Sequence, residues 1–215
     1  FDDLDAVKAA INDDTRAVFG EAIANPGGYI MDVRAIADIA DAAEIPLIID
    51  NTTATPFLCR PIELGATLVV HSTTKYLTGN GTVTGGCIVD SGTFDWSAND
   101  KFPSLSQPEP AYHGLKFHET FGNLAFTFHG IAIGLRDLGM TMNPQAAHYT
   151  LMGTETLSLR MERHVENAVT VAKWLEKDPR IEKVTYAGLE SSPYFDRVAK
   201  VCPKGAGALF TISVK

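Results

Sequence analysis

Thr67-Leu68-Val69-Val70-His71-Ser72-Thr73-Thr74-Lys75-Tyr76-Leu77-Thr78-Gly79-Asn80-Gly81 opens on a short apolar run that reads as a buried strand and closes in a glycine-rich loop. A strand of an open α/β sheet delivers the residues at its carboxyl end into a site, so hydroxyls and a lysine stand where chemistry is done. A lysine stripped of its hydration shifts toward the neutral amine and can attack a carbonyl to form a Schiff base. Taken alone, the same residue reads as a solvated surface charge, so the outcome turns on its surroundings.

Outward from this stretch, Ile45-Pro46-Leu47-Ile48-Ile49-Asp50 forms a second, almost wholly apolar strand, and residues 15–23 form a third that ends at the turn Asn25-Pro26-Gly27-Gly28. Between them Asp32 caps a helix running through Ala43, with Val33, Ile36, Ala37, Ile39 and Ala40 as its apolar face. Gly86-Cys87-Ile88-Val89-Asp90 adds a strand after the loop. Strand, helix, strand with continuous apolar runs predicts an α/β fold, a largely parallel, doubly wound sheet buried on both faces. Polar residues then crowd three strand ends, at 21–25, 50–53 and 71–75.

The rest of the chain carries less chemistry. Leu4, Val7, Ala10 and Ile11 have helical spacing. Residues 94–123, rich in Pro, Ser and aromatics, read as a long ordered loop, either structural or bordering the site. Helices resume over 124–138, and residues 156–177 form one long helix with a stripe of Leu157, Met161, Val165, Ala168, Ala172 and Leu175, stopped by Asp178-Pro179. A strand at 181–186, a short helix at 194–202 and a strand at 208–214 begin a smaller α+β domain that looks unfinished at Lys215. The expected division is a large domain over 1–150, a linking helix over 151–178 and a partial small domain over 179–215.

Composition narrows the function. With 45% hydrophobic and 20% charged residues the chain is an ordinary globular one, and it has neither a bilayer-length apolar run nor a positively charged leader, so the expected compartment is cytoplasmic. Eighteen Lys and Arg against 26 Asp and Glu give a net charge of −8, and no basic cluster offers a nucleic-acid footprint. Cys59, Cys87 and Cys202 are odd in number and widely spaced, which points to reduced, structural thiols. His113 and His118, the closest histidine pair, do not share a helical face, and no metal is expected.

Two arrangements at the strand ends belong together. Asp50 closes one apolar strand, and Lys75 lies at the end of a neighbouring one. Singly, Asp50 reads equally well as a turn cap with Thr52 and Thr53. With Lys75, it reads as the carboxylate that keeps a pyridine nitrogen protonated in a pyridoxal phosphate site. Ser72 and Thr74 flank Thr73, so on an extended backbone both hydroxyls face one side and can share a phosphate, while Lys75 points the other way.

Glu21-Ala22-Ile23-Ala24-Asn25-Pro26, Asp50-Asn51-Thr52-Thr53-Ala54-Thr55-Pro56, Ser72-Thr73-Thr74-Lys75-Tyr76 and Gly85-Gly86 resemble, in order and spacing, the pyridoxal-phosphate enzymes of cysteine and methionine metabolism. The likeness extends through Thr154-Glu155-Thr156-Leu157-Ser158-Leu159-Arg160-Met161-Glu162-Arg163-His164 and Gly205-Ala206-Gly207-Ala208, and residues 94–123, with Tyr112-His113-Gly114, resemble the O-acetylhomoserine sulfhydrylase branch. The resemblance implies a fold-type I transferase with Lys75 as Schiff-base lysine and proton shuttle, Asp50 on the pyridine nitrogen, Ser72 and Thr74 on the phosphate, and Asn25 near the ring hydroxyl. Glu21 and Thr52 are implied as supporting residues. It further implies γ-replacement on O-acetylhomoserine by sulfide or a thiol, and a homo-oligomer, a dimer of dimers, with shared sites. Cystathionine synthesis, methionine γ-lyase chemistry and a non-enzymatic binding module are the alternatives. The family's ring-stacking aromatic and carboxylate-binding arginine have no counterpart here, so this segment alone is expected to be inactive. Thr53, Ala22 and Asn80 depart from residues common in the family.

Overall fold

The computed structural model describes residues 1–215. Its centre is a four-stranded sheet of β1 (Val18–Glu21), β2 (Leu47–Asp50), β3 (Leu68–Ser72) and β4 (Gly86–Asp90), in that spatial order. β1, β2 and β3 are parallel and β4 is antiparallel to β3. Helix α1 (Leu4–Ala10) precedes the sheet, α2 (Val33–Ala42) crosses from β1 to β2, and the short α3 (Thr55–Leu58) follows β2. α2 begins where Asp32 Oδ1 accepts from Ala35 N–H at 3.2 Å, and it buries Val33, Ile36, Ala37, Ile39 and Ala40, the expected face.

Alternation along β2 explains the layers. Leu47 and Ile49 enter a main core of 29 buried residues, whereas Ile48 packs against a second cluster of Leu68, Trp96, Leu105, Phe117 and Ala125. Each fully buried aliphatic side chain of this kind contributes about 1.5–3 kcal/mol. The second cluster sits under β2 and β3 and leaves the outer strands open: Phe19 on β1 is 56% exposed and Ile88 on β4 is 60% exposed. Burial on both faces therefore holds for the middle strands and fails at the edges. Cys87, on β4, is exposed, unlike the buried free thiols of Cys59 and Cys202.

The segment 94–123 is not one irregular loop. It folds into α4 (Pro103–Ser106), a 3₁₀ turn and α5 (Phe117–Phe121), and with α6 (Ala125–His129) it builds the second cluster, where Trp96 stacks on Phe126 with centroids 5.2 Å apart. Asn99 donates to the Glu44 carbonyl at 2.7 Å, so part of the segment is fixed beside the amino end of β2, away from Lys75.

After a π-helical stretch at Gly130–Asp137 come α7 (Pro144–Glu155) and α8 (Leu157–Leu175), meeting at Thr156. α8 follows the expected stripe, burying Leu157, Met161, Ala168 and Ala172. α7 is an addition: Asn143 caps it by accepting from Ala146 N–H at 2.8 Å, and Pro144 opens its first turn. The chain ends with β5 (Ile181–Thr185), α9 (Phe195–Val201) and β6 (Thr211–Val214), the two strands paired antiparallel. Tyr186, Leu189, Val201 and Cys202 join the main core, so these elements share it with the sheet. No helix is long and apolar enough to cross a membrane.

Candidate active site

Register brings the polar strand ends together. Glu21 pairs with Asp50 across β1 and β2, and Asp50 with Val70 across β2 and β3, leaving His71 and Ser72 to run past the end of β2. Each strand end is then held by its own side chains. Glu21 Oε2 accepts from Asn25 N–H at 2.6 Å, and Asp50 Oδ1 accepts from Thr52 N–H at 2.8 Å. Thr52 Oγ1 accepts from Ser72 N–H at 2.8 Å, a bond that joins the ends of β2 and β3. Buried Asn51 donates to the Cys59 carbonyl at 2.9 Å.

Beyond Ser72 the structure departs from the extended backbone expected there. Thr73–Leu77 is a π-helical turn interrupted at Lys75, whose φ of −88° and ψ of −122° are non-helical. Period-two alternation therefore cannot place the Ser72 and Thr74 hydroxyls on one side. The turn forms because Gly85 recruits its first residues: Thr73 N–H donates to Gly85 O at 2.9 Å, and Gly85 N–H donates to Thr74 Oγ1 at 3.1 Å. A Cβ at 85 would lie 2.8 Å from Thr73 Oγ1 and 2.9 Å from Met142 Cε, so both side chains would have to give way to a larger residue there. Thr74's hydroxyl is thus engaged by Gly85, while the Ser72 hydroxyl caps nothing in the turn.

The far end of the turn is held by groups that sequence patterns missed. Gly79 N–H donates to the Lys75 carbonyl at 2.8 Å. Arg160 Nη1 donates to the Tyr76 carbonyl at 2.8 Å, and the Thr78 and Thr150 hydroxyls are 3.1 Å apart. The signal available was the TETLSLRMERH stretch itself, whose Arg160 stands off the apolar stripe.

The residues fit a pyridoxal phosphate. Lys75 is exposed and enters no ion pair. Asp50 is half-buried and has an oxygen beyond the one that takes the Thr52 amide. At the same end of the sheet Asn51 Oδ1, His71 Nδ1 and Thr73 Oγ1 are buried without partners, where polar atoms are ordinarily satisfied. Burial pushes the His71 imidazole below its usual value, against the pull of the Asp50 carboxylate, and pushes the Tyr76 phenol up. Glu21 and Asn25 also line a neighbouring cleft of about 230 Å³ with Ala24, Tyr29 and Met31. No group of three or more His, Cys, Asp or Glu side chains converges as metal ligands would.

A mostly parallel sheet that gathers a carboxylate, hydroxyls and an unpaired lysine at adjacent strand ends defines the class, the fold-type I pyridoxal-phosphate enzymes. Over its whole length, residues 1–215, the chain matches the model of the Cys/Met metabolism PLP-dependent enzymes, and it belongs to that family. It is 47% identical to the homocysteine synthase of Schizosaccharomyces pombe over 100% of this chain and 50% of the relative. It is 43% identical to the O-acetyl-L-homoserine sulfhydrylase of Leptospira meyeri over 99% of this chain and 50% of that one. A solved chain described as an O-acetylhomoserine (thiol)-lyase from Campylobacter jejuni, which carries a pyridoxyl-lysine monophosphate, superposes with a TM-score of 0.95 at 38% identity, covering 100% of this chain and 51% of its own. The chain spans about half the length of the curated relatives it matches.

Proposed function

We propose that the chain serves pyridoxal-phosphate-dependent γ-replacement on O-acetyl-L-homoserine, with sulfide or a thiol giving homocysteine or a relative and acetate. Whole-chain identity of 43–47% to proteins named homocysteine synthase and O-acetyl-L-homoserine sulfhydrylase carries this reading. When bound, the cofactor supplies an electron sink for the bonds broken at the substrate's α carbon. In this reading Lys75 would hold the cofactor, and its free amine would take the α proton and move protons at the β carbon. Asp50 would keep the proton on the ring nitrogen, Ser72 would donate to the phosphate, Thr74 would join it by turning its hydroxyl proton away from the Gly85 carbonyl, a weak partner at 3.4 Å, and Asn25 would face the ring hydroxyl. Thr52 and Glu21 support them, consistent with their bonds to the Ser72 and Asn25 amides. Acetate leaves the γ carbon with its bonding pair, and the sulfur nucleophile supplies the pair of the new C–S bond. A cytoplasmic homotetramer with sites shared between subunits, and a large domain over 1–150 joined by 151–178 to a small one, complete the proposal.

The test is the visible spectrum of the protein expressed at full length, before and after borohydride, beside Lys75→Ala. A lysine-bound cofactor band in wild type, absent from the variant, with a reduced adduct on Lys75, is expected. A wild type lacking both sinks the reading. Product analysis with O-acetylhomoserine plus sulfide then separates replacement from elimination.

A further inference from the structure

Arg160 stands in the first turn of α8, and its donors are directed to three places on the chain. Nε donates to Thr156 Oγ1 at 3.1 Å, Nη2 to the Gly153 carbonyl at 2.6 Å and Nη1 to the Tyr76 carbonyl at 2.8 Å. None of the ion pairs in the molecule includes it. A half-buried guanidinium without a carboxylate is unusual, because this fork is built for anions. Two of the bonds, to Thr156 and Gly153, close the elbow between α7 and α8. The third does nothing for the elbow: it reaches 84 residues back to the carbonyl of Tyr76, the residue that follows Lys75.

The turn bearing Lys75 depends on such contacts at this end. Thr73 and Thr74 are fixed by Gly85 on one side of the lysine, while on the other side Tyr76 O is met by the guanidinium and Gly79 lies against it. A Cβ at Gly79 would fall 2.5 Å from Arg160 Nη1, so the loop backbone and the guanidinium are in direct apposition. Lys75, at the break in the π turn, takes its direction from both anchors.

We propose that Arg160 is a positioning residue for Lys75: through the Tyr76 carbonyl it couples the α7–α8 elbow to the turn that aims the lysine amine. This rests on the reading that Lys75 carries the cofactor. A charge-assisted bond to a carbonyl is stronger than a neutral one, and a small misplacement of a reacting group is costly to chemistry while sparing substrate affinity.

The test uses Arg160→Met and Arg160→Lys in the protein expressed at full length. With Met, kcat falls about ten- to a hundred-fold while KM stays within about three-fold. The visible band of the lysine-bound cofactor changes in position or pH dependence, and borohydride fixes the cofactor on Lys75 more slowly. Lysine at 160 keeps one charged donor for Tyr76 O and restores at least about a third of the lost kcat. If Arg160→Met fails to fold, Arg160→Lys is read alone, and it must then show a partial loss of kcat with a changed band. A spectrum and kcat matching wild type in whichever variant folds, or a fall in melting temperature with band and pH profile unchanged, reduces Arg160 to an elbow brace and overturns the proposal. Absence of any band in wild type would instead strike the cofactor reading.

Discussion

Replacing a glycine inside a helix by alanine ordinarily stabilises a protein by about 0.5–1 kcal/mol, because the backbone loses less freedom on folding. Gly153, in the last turns of α7, should show the opposite sign. A Cβ there would stand 2.3 Å from both the Leu77 and the Thr78 carbonyl oxygens. Ordinary contact begins at 3.4 Å, so helix and turn must part by the difference, about 1.1 Å. The obstructing atoms are backbone from two successive peptides, and no rotamer change relieves them. Such a retreat carries the 3.1 Å Thr78–Thr150 contact and the 2.8 Å bond from Arg160 to Tyr76 O beyond hydrogen-bonding range. Losing two bonds worth about 1 kcal/mol each, plus overpacking of about 1–3 kcal/mol, outweighs the propensity gain of about 0.5–1 kcal/mol and leaves a net loss of about 2–4.5 kcal/mol. The urea midpoint of Gly153→Ala should fall with the slope unchanged. Because the same retreat pulls on the Lys75 turn, kcat should fall with it. A midpoint equal to or above wild type would refute the close crossing of α7 over the lysine turn.

Two other perturbations separate structure from site. Burial holds the His71 imidazole below its ordinary 6.5, so the unfolded chain binds the extra proton first. Its contribution to stability is complete above that value and is lost as pH falls through it toward the lower folded value; urea midpoints of His71→Gln should lose this slope, and parallel slopes in both proteins would contradict it. Phe117, 1% exposed and edge-on to Tyr112 and His129, belongs to the second cluster and not to the site. Phe117→Ala should cost about 3–5 kcal/mol in denaturation while leaving KM unchanged at permissive temperature, and an altered KM would return the 94–123 segment to the site.

What could be read from the sequence divides along the range of the forces involved. β1, α2 and β2 were legible because each carries its own signal: an apolar run, a 3.6-residue stripe behind the Asp32 cap, and a run ended by Asp50. Asp50 and Lys75 were legible as a pair because parallel strands bring their carboxyl ends together whatever lies between. α7 was hidden because it buries only Ala146 and so presents no stripe, although Asn143 and Pro144 mark its start. α4 and α5, at four and five residues, are too short to show a period, and their aromatics meet only through the tertiary fold. The lysine turn combines both kinds. Its residue types follow from local sequence, and these include an amine with no ion-pair partner. Its shape is imposed by Gly85, Gly153 and Arg160, which lie ten, 78 and 85 residues beyond Lys75. An extended reading of Ser72 to Lys75 could not succeed, because no residue inside the turn encodes the break at Lys75. The identity of the reactive amine is a local property, whereas its aim depends on the packing of two helices, α7, which sequence patterns missed, and α8, whose stripe they read as core alone.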